Sequence, residues 1–161
     1  MALYLVRCAT AERRSRWEGS DALRPLTAEG RAQAAALAEW LGQVTVSHVE
    51  SSPFTRCVET VLPLAQVHDL EVEQLDRLAP TKDVEPILDW LRVIPDSSVL
   101  CSHGAVITRV MEILTRQGAE VEGPADWRKG ATWVLERTGH KVLRASAVPP
   151  GDVARPSPGG R

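Results

Sequence analysis

The chain has 161 residues, of which 43% are hydrophobic and 25% are charged, and its formal net charge is −2. This composition is typical of a single soluble domain, and the weak negative charge argues against nucleic acid or an anionic membrane as a partner. Because no apolar run approaches the roughly 18 residues that span a bilayer and no signal-peptide pattern opens the chain, we expect a cytoplasmic protein.

Short apolar runs alternate with helical periodicity in the first half of the chain, a pattern typical of α/β layer folds. Residues 2–6 predict a buried strand, and Thr27 can cap the helix that follows. The buried stripe of that helix would be Ala34, Leu37, Ala38 and Leu41. Residues 46–50 predict a second strand, and the next helix would bury Val58, Val61, Leu62 and Ala65.

The second half continues this alternation. Residues 71–75 predict a short strand, residues 97–101 a buried strand, and residues 131–137 and 141–148 two strands around a turn. Two helices between them would bury Val84, Ile87, Leu88 and Leu91, and Ile107, Val110, Met111 and Leu114. The sequence therefore predicts a three-layer α/β/α sandwich with a mostly parallel central sheet.

This domain would occupy residues 1–148, and residues 149–161 predict a disordered tail because seven of those thirteen are Pro or Gly.

Three motifs lie where predicted strands end, which is the usual ligand crevice of an open α/β sheet. Arg-Cys-Ala at 7–9 follows the first strand, residues 51–60 lead into a helix after the second, and Cys-Ser-His-Gly at 101–104 follows a later strand. Each motif is weak alone, because an isolated Arg is usually a solvated surface residue and an isolated Ser-His-Gly is usually a turn. Their shared position at strand ends is what indicates a site.

In this order, the motifs resemble the histidine phosphatase (phosphoglycerate mutase-like) superfamily from residue 3 to about residue 150. The resemblance is strongest to the small branch with the phosphohistidine phosphatases similar to SixA, and to the phosphatase half of actinobacterial Nudix–phosphatase fusions. Arg24-Pro25-Leu26-Thr27, Gly30, Gln33 and Gly130-Ala131-Thr132-Trp133 fit that branch.

The resemblance implies that Arg7, Arg56 and His103 converge around a phosphoryl group, with Cys8 at the base of the pocket. We expect the guanidinium groups of Arg7 and Arg56 to lack a protein partner and to bind the charged oxygens of the phosphoryl group. His103, when protonated, would add a third hydrogen-bond donor. It further implies a phosphorylated small molecule or a phosphoprotein as partner, with no cofactor and no metal.

The sequence departs from the family's pattern at two positions. The family has a His after the Arg, and that His is phosphorylated during turnover, whereas this chain has Cys8. The family commonly reads Leu-Ala-Glu-Gly, whose Glu acts as the acid, whereas this chain reads Leu-Ala-Pro-Thr with Pro80 at the third position. Pro80 cannot transfer a proton, and Glu12 and Asp83 are the carboxylates that could replace the acid, although both are placed to cap or to be solvated.

Two interpretations of Cys8 stay open. It can be an inert buried thiol that fills the space of a lost imidazole, or a thiolate nucleophile stabilised by its cationic neighbours, with Cys8 and His103 as catalytic residues. We expect Cys8, Cys57 and Cys101 to be reduced, which disfavours a Cys8–Cys101 redox pair. A zinc site from Cys8, His103 and Cys101 is disfavoured because two arginines would repel the cation.

The first functional hypothesis is a divergent member of the family that retains phosphate or phosphoester binding, has lost the ordinary phosphohistidine mechanism and has Cys8 as a candidate nucleophile. The alternative is a non-catalytic pseudophosphatase that binds a phosphorylated metabolite or protein. A trapping substitution at position 8 is a third hypothesis, which Pro80 argues against. The sequence leaves the substrate and the oligomeric state open.

Overall fold

The strands and helices of the computed structural model alternate as the sequence predicts, and the model describes residues 1–151. The strands are β1 Ala2–Arg7, β2 His48–Ser51, β3 Val72–Gln74, β4 Ser98–Ser102, β5 Glu120–Val121, β6 Thr132–Thr138 and β7 Lys141–Val148. The α-helices are α1 Ala28–Leu41, α2 Thr55–Val67, α3 Glu85–Val93 and α4 Gly104–Arg116. Short 3₁₀ helices occupy Arg14–Arg16, Asp21–Leu23 and Asp76–Leu78. Of the tail predicted at residues 149–161, residues 152–161 lie outside the described residues.

All seven strands belong to one sheet in the order β3-β2-β4-β1-β6-β7-β5. The four strands from β3 to β1 are parallel, while β6 runs antiparallel to both β1 and β7, and β5 is parallel to β7. This arrangement confirms the predicted mostly parallel sheet. Two-residue β5 was not predicted from the sequence, because a strand of that length has no measurable alternation.

The helices cover both faces of the sheet and so confirm the three-layer sandwich. Residues of α1 and α2 pack with Tyr4 and Val6 on one face, whereas residues of α3 and α4 pack with Leu3 and Leu5 on the other. The alternation along β1 follows from the opposite directions of successive side chains in a strand. Both faces are apolar because both are covered.

The predicted stripes of α1, α3 and α4 are buried, but the stripe predicted for α2 is wrong in part. Leu62 is 41% exposed, and Val58 is only half-buried. The helix packs instead through Cys57, Val61 and Leu64, which have no exposed surface. Apolar residues lie on two sides of this helix, so its periodicity could not decide which side faces the sheet.

Across residues 1–151, no helix combines the length and apolar character that a bilayer crossing requires.

Candidate functional site

A pocket of about 160 Å³ lies at the edge of the sheet where β1, β2 and β4 end. The strand register pairs Arg7 with Ser102, and Ser51 with Cys101, so these three parallel strands stop at the same level. The residues that follow each strand are therefore close in space. The structure brings Arg7, Cys8, Arg56 and His103 together in the lining of this pocket.

Two further cations line the pocket that sequence reasoning did not assign to it, namely Arg24 and Lys129. Arg24 is 9% exposed and donates through Nη1 to the carbonyl oxygen of Glu12 at 2.6 Å. The sequence signal that could have assigned Arg24 to the pocket was its place in the family-like motif Arg24-Pro25-Leu26-Thr27. No comparable signal marked Lys129, which lies in an irregular segment between β5 and β6.

The Asp21 carboxylate joins two of these arginines. Its Oδ1 accepts a hydrogen bond from Arg24 Nε at 2.9 Å, and its Oδ2 lies 3.4 Å from Arg56 Nη2. Burial raises the pKa of Asp21, but the Arg24 hydrogen bond and the charges of Arg56 and Arg24 outweigh it, so the net shift is downward. The expectation that Arg56 lacks a protein partner is therefore wrong.

Arg7 approaches the start of α4 so closely that a side chain at position 104 would have to displace its guanidinium. A Cβ on Gly104 would lie 2.8 Å from Arg7 Cζ, whereas ordinary contacts begin near 3.4 Å. Arg7 Nη1 donates to the carbonyl oxygen of Trp127, so Arg7 also has a protein partner, contrary to expectation. Burial lowers the pKa of Arg7 from an ordinary value far above neutrality, and the guanidinium stays charged.

His103 is neutral at pH 7 in this environment. Burial first, and the neighbouring Arg56 charge second, lower the pKa of His103 to about 4. Its Nε2 lies 2.8 Å from Ser52 Oγ, and its Nδ1 lies 3.4 Å from Arg56 Nη2. Because Arg56 can only donate, Nδ1 accepts and the Nε2–H donates to Ser52. The third donor that a protonated His103 would supply is therefore absent from this pocket at pH 7.

We expect the His103 ring to titrate near pH 4 in a proton–nitrogen NMR titration, well below its ordinary pKa of 6.5. Between pH 6.5 and 4, His103 is then protonated in the unfolded chain but still neutral in the folded protein. Stability is therefore full above pH 6.5 and falls as the pH drops through this window. His103→Asn should flatten that dependence and exposed His48→Asn should not. A His103 pKa near 6.5 would contradict the assignment.

Cys8 and Cys57 form a disulfide at the base of the pocket. The expectation of reduced thiols is therefore wrong for both residues, although it holds for buried Cys101. The three sulfur atoms lie within 4.8 Å of one another, so Cys101 neighbours Cys8 but is not its partner. With two of these sulfurs bonded to each other, the cluster has one thiol left as a metal ligand.

Two side chains hold the loop after β1, and neither was assigned a structural role from the sequence. Thr60 Oγ1 accepts a hydrogen bond from the Ala9 N–H at 2.9 Å, and Gln33 Oε1 accepts one from the Thr10 N–H at 2.9 Å. Buried N–H groups need such partners. These contacts hold Cys8 and its neighbours at the pocket wall.

The carboxylates proposed as replacement acids lie elsewhere. Asp83 Oδ1 accepts a hydrogen bond at 3.1 Å from the N–H of Glu85, the first residue of α3. Neither Asp83 nor Glu12 is among the residues that line the pocket, and within the described chain that lining contains no carboxylate. Pro80 is exposed, and the segment before it is held against β4 by Ser102 Oγ, which donates to Leu78 O at 2.6 Å.

Comparison with known proteins identifies the domain type. Residues 3–82 match the model of the histidine phosphatase superfamily (branch 1). An 8-oxo-(d)GTP phosphatase of Mycolicibacterium smegmatis is 32% identical over 156 residues, which cover 93% of this chain. That match covers 48% of the relative, so the chain spans about half of its length.

Solved structures share the fold. The protein histidine phosphatase SixA in complex with tungstate superposes with a TM-score of 0.70 at 24% identity, over 84% of this chain and 88% of that one. The alpha-ribazole phosphatase of Shigella flexneri superposes with a TM-score of 0.61 at 16% identity, over 89% and 94%.

Proposed function

The chain belongs to the histidine phosphatase superfamily, and we propose that its pocket binds the phosphoryl group of a phosphate ester while the family's ordinary phosphohistidine mechanism does not operate. The observation that carries this proposal is the convergence of Arg7, Arg24, Arg56 and Lys129 on one pocket. Its volume of about 160 Å³ is several times the roughly 30 Å³ of a water molecule, which suits a tetrahedral oxyanion.

The charge balance of the pocket favours an anion. Four cationic side chains line it, and Asp21 supplies one opposing carboxylate, so a positive excess remains. Asp21 also orients Arg24 and Arg56, which reduces the conformational freedom that they lose when a ligand binds. Guanidinium forks match the geometry of phosphate oxygens and bind them with two parallel hydrogen bonds. The structural neighbour SixA was solved with tungstate, which is also an oxyanion.

The disulfide favours binding over catalysis in the state that the structure describes. The family resemblance places Cys8 at the position of the nucleophilic His, yet its sulfur is bonded to Cys57 and has no thiolate to attack phosphorus. The neutral His103 ring donates its proton to Ser52 rather than into the pocket. In this form the protein acts as a pseudophosphatase that holds a phosphorylated metabolite or protein.

A cysteine-dependent phosphatase is the second candidate, and the place of Cys8 in a cationic pocket supports it. A dithiol reductant would first exchange with the disulfide, leave as its own disulfide and convert Cys8 and Cys57 to thiols. The Cys8 thiolate would then attack phosphorus, form an S–P bond and break the ester P–O bond. The departing alkoxide would take a proton from water, because Pro80 offers none. A second water would then hydrolyse the S–P bond, release phosphate and restore the thiolate.

We expect inorganic phosphate to raise the melting temperature of the protein, because a ligand of the folded state stabilises it by about 2.7 kcal/mol at a hundred times its dissociation constant. Gly104→Ala should weaken phosphate binding by roughly tenfold, because its Cβ would displace the Arg7 guanidinium. Arg7→Ala should weaken it at least as much.

Thermal unfolding at increasing phosphate concentration measures both effects, with sodium chloride at equal ionic strength as the reference. Arg144→Ala is the matched control, since Arg144 is an exposed arginine paired with Glu136. If millimolar phosphate leaves the melting temperature of the unmodified protein unchanged, the proposed phosphate pocket is wrong.

A further inference from the structure

A second depression, which we call the aromatic groove, lies beside α4. It is lined mainly by Thr108, Met111, Val121, Ala125, Trp127 and Trp133, with a volume of about 420 Å³. Trp127 is 43% exposed, and its ring lies 5.1 Å from the ring of Trp133, which is 2% exposed. Val121, which also lines the groove, is 40% exposed, and a depression that gathers exposed apolar side chains is a candidate binding site.

The aromatic groove adjoins the phosphate pocket along two walls. On α4, Gly104 lines the pocket and Thr108 lines the groove, and these positions are one helical turn apart, or about 6 Å. On the opposite wall, Lys129 lines the pocket and Trp127 lines the groove, two residues earlier. The Arg7 guanidinium donates to the carbonyl oxygen of Trp127 and so ties the two walls together.

The lining of the groove suits a flat ring with polar edges. The Trp127 ring offers an exposed face for stacking, and aromatic rings stack on such faces whatever their exact identity. Glu112 and Arg116 lie farther along the same side of α4 and supply an acceptor and donors for polar edges. The indole N–H of Trp133, on the groove wall, is buried without a hydrogen-bond partner among the described residues.

We propose that the aromatic groove binds a planar aromatic group carried by the phosphate ester that occupies the pocket. The inference rests on the proposed phosphate pocket and adds the substrate class, namely esters in which a flat heterocycle follows the phosphate after a short spacer. A nucleoside monophosphate has this form, since its sugar is a short spacer between the phosphate and the base. Trp127 is then the residue that determines specificity.

Calorimetric titration of the full chain with three ligands tests this inference. Adenosine monophosphate carries phosphate, sugar and ring, ribose 5-phosphate lacks the ring, and adenosine lacks the phosphate. We expect adenosine monophosphate to bind at least roughly tenfold more tightly than ribose 5-phosphate, from stacking on Trp127. Trp127→Ala should abolish that preference and leave ribose 5-phosphate binding unchanged, while Trp127→Phe should keep most of it. Leu143→Ala, another exposed apolar residue, is the control and should change neither affinity.

The outcomes separate this inference from the proposed function. Equal affinity for adenosine monophosphate and ribose 5-phosphate in the unmodified protein would overturn the aromatic groove, as would a Trp127→Ala variant that keeps the preference. If ribose 5-phosphate and inorganic phosphate both fail to bind, the phosphate pocket is wrong. In that case adenosine binding that Trp127→Ala removes would still support the groove, and its absence would overturn both.

Discussion

Cys8→His combined with Pro80→Glu should raise phosphomonoesterase turnover at least about a hundredfold above that of the unmodified protein. The imidazole would supply a nucleophile among Arg7, Arg56 and His103. The family resemblance implies that a carboxylic acid at position 80 would protonate the leaving oxygen. A positioned general acid contributes roughly 10²–10⁴-fold. Each single substitution should give much less, because residues that act as one catalytic unit are not additive.

Turnover of p-nitrophenyl phosphate and of an alkyl phosphate, with and without reductant, measures this effect. Hydrolysis of the alkyl phosphate depends more on the general acid, because an alkoxide is a poorer leaving group than p-nitrophenolate. Cys8→Ser is the control, since it removes the disulfide with Cys57 but supplies no imidazole. Loss of that disulfide costs about 2–4 kcal/mol, so each variant's melting temperature should be recorded with its rate.

Two results would contradict this account. Robust turnover by the reduced, unmodified protein that Cys8→Ser abolishes would establish the cysteine-dependent phosphatase instead. Robust turnover that Cys8→Ser leaves intact would mean that the nucleophile lies elsewhere.

Gly30→Ala should destabilise the protein by about 3 kcal/mol or more, although alanine has the higher helix propensity. A Cβ at this position of α1 would lie 1.9 Å from the carbonyl oxygen of Thr10, which is backbone and cannot rotate away. That oxygen also accepts hydrogen bonds from the Thr27 N–H at 3.0 Å and from Thr27 Oγ1 at 3.2 Å. The substitution would therefore displace the loop that carries Cys8 and weaken phosphate binding.

Urea unfolding measures this loss of stability. Gly139→Ala is the control, because its Cβ would meet nothing within 4 Å while its φ of 62° is unfavourable for alanine. It should cost only about 1–2 kcal/mol from backbone strain. A Gly30→Ala variant as stable as the unmodified protein would show that the loop after β1 can shift freely.

The sequence by itself determined the layers of this fold and which strand ends carry its candidate site. Apolar periodicity in α1, α3 and α4 is a local property, so it could be read without the structure. The rule that ligands bind beyond the ends of parallel strands, together with the family resemblance, grouped Arg7, Cys8, Arg56 and His103 correctly in space.

The tertiary structure alone decided how those residues are partnered. Cys8 and Cys57 are 49 positions apart, and no spacing rule pairs two cysteines from a strand end and a helix. Asp21 begins a three-residue 3₁₀ helix, too short to show periodicity, and meets Arg56 across 35 positions of the sequence. The low pKa of His103 comes mainly from burial, which depends on how the whole chain packs around the ring. Partners, burial and protonation are properties of the folded chain, because each is set by groups that only folding brings together.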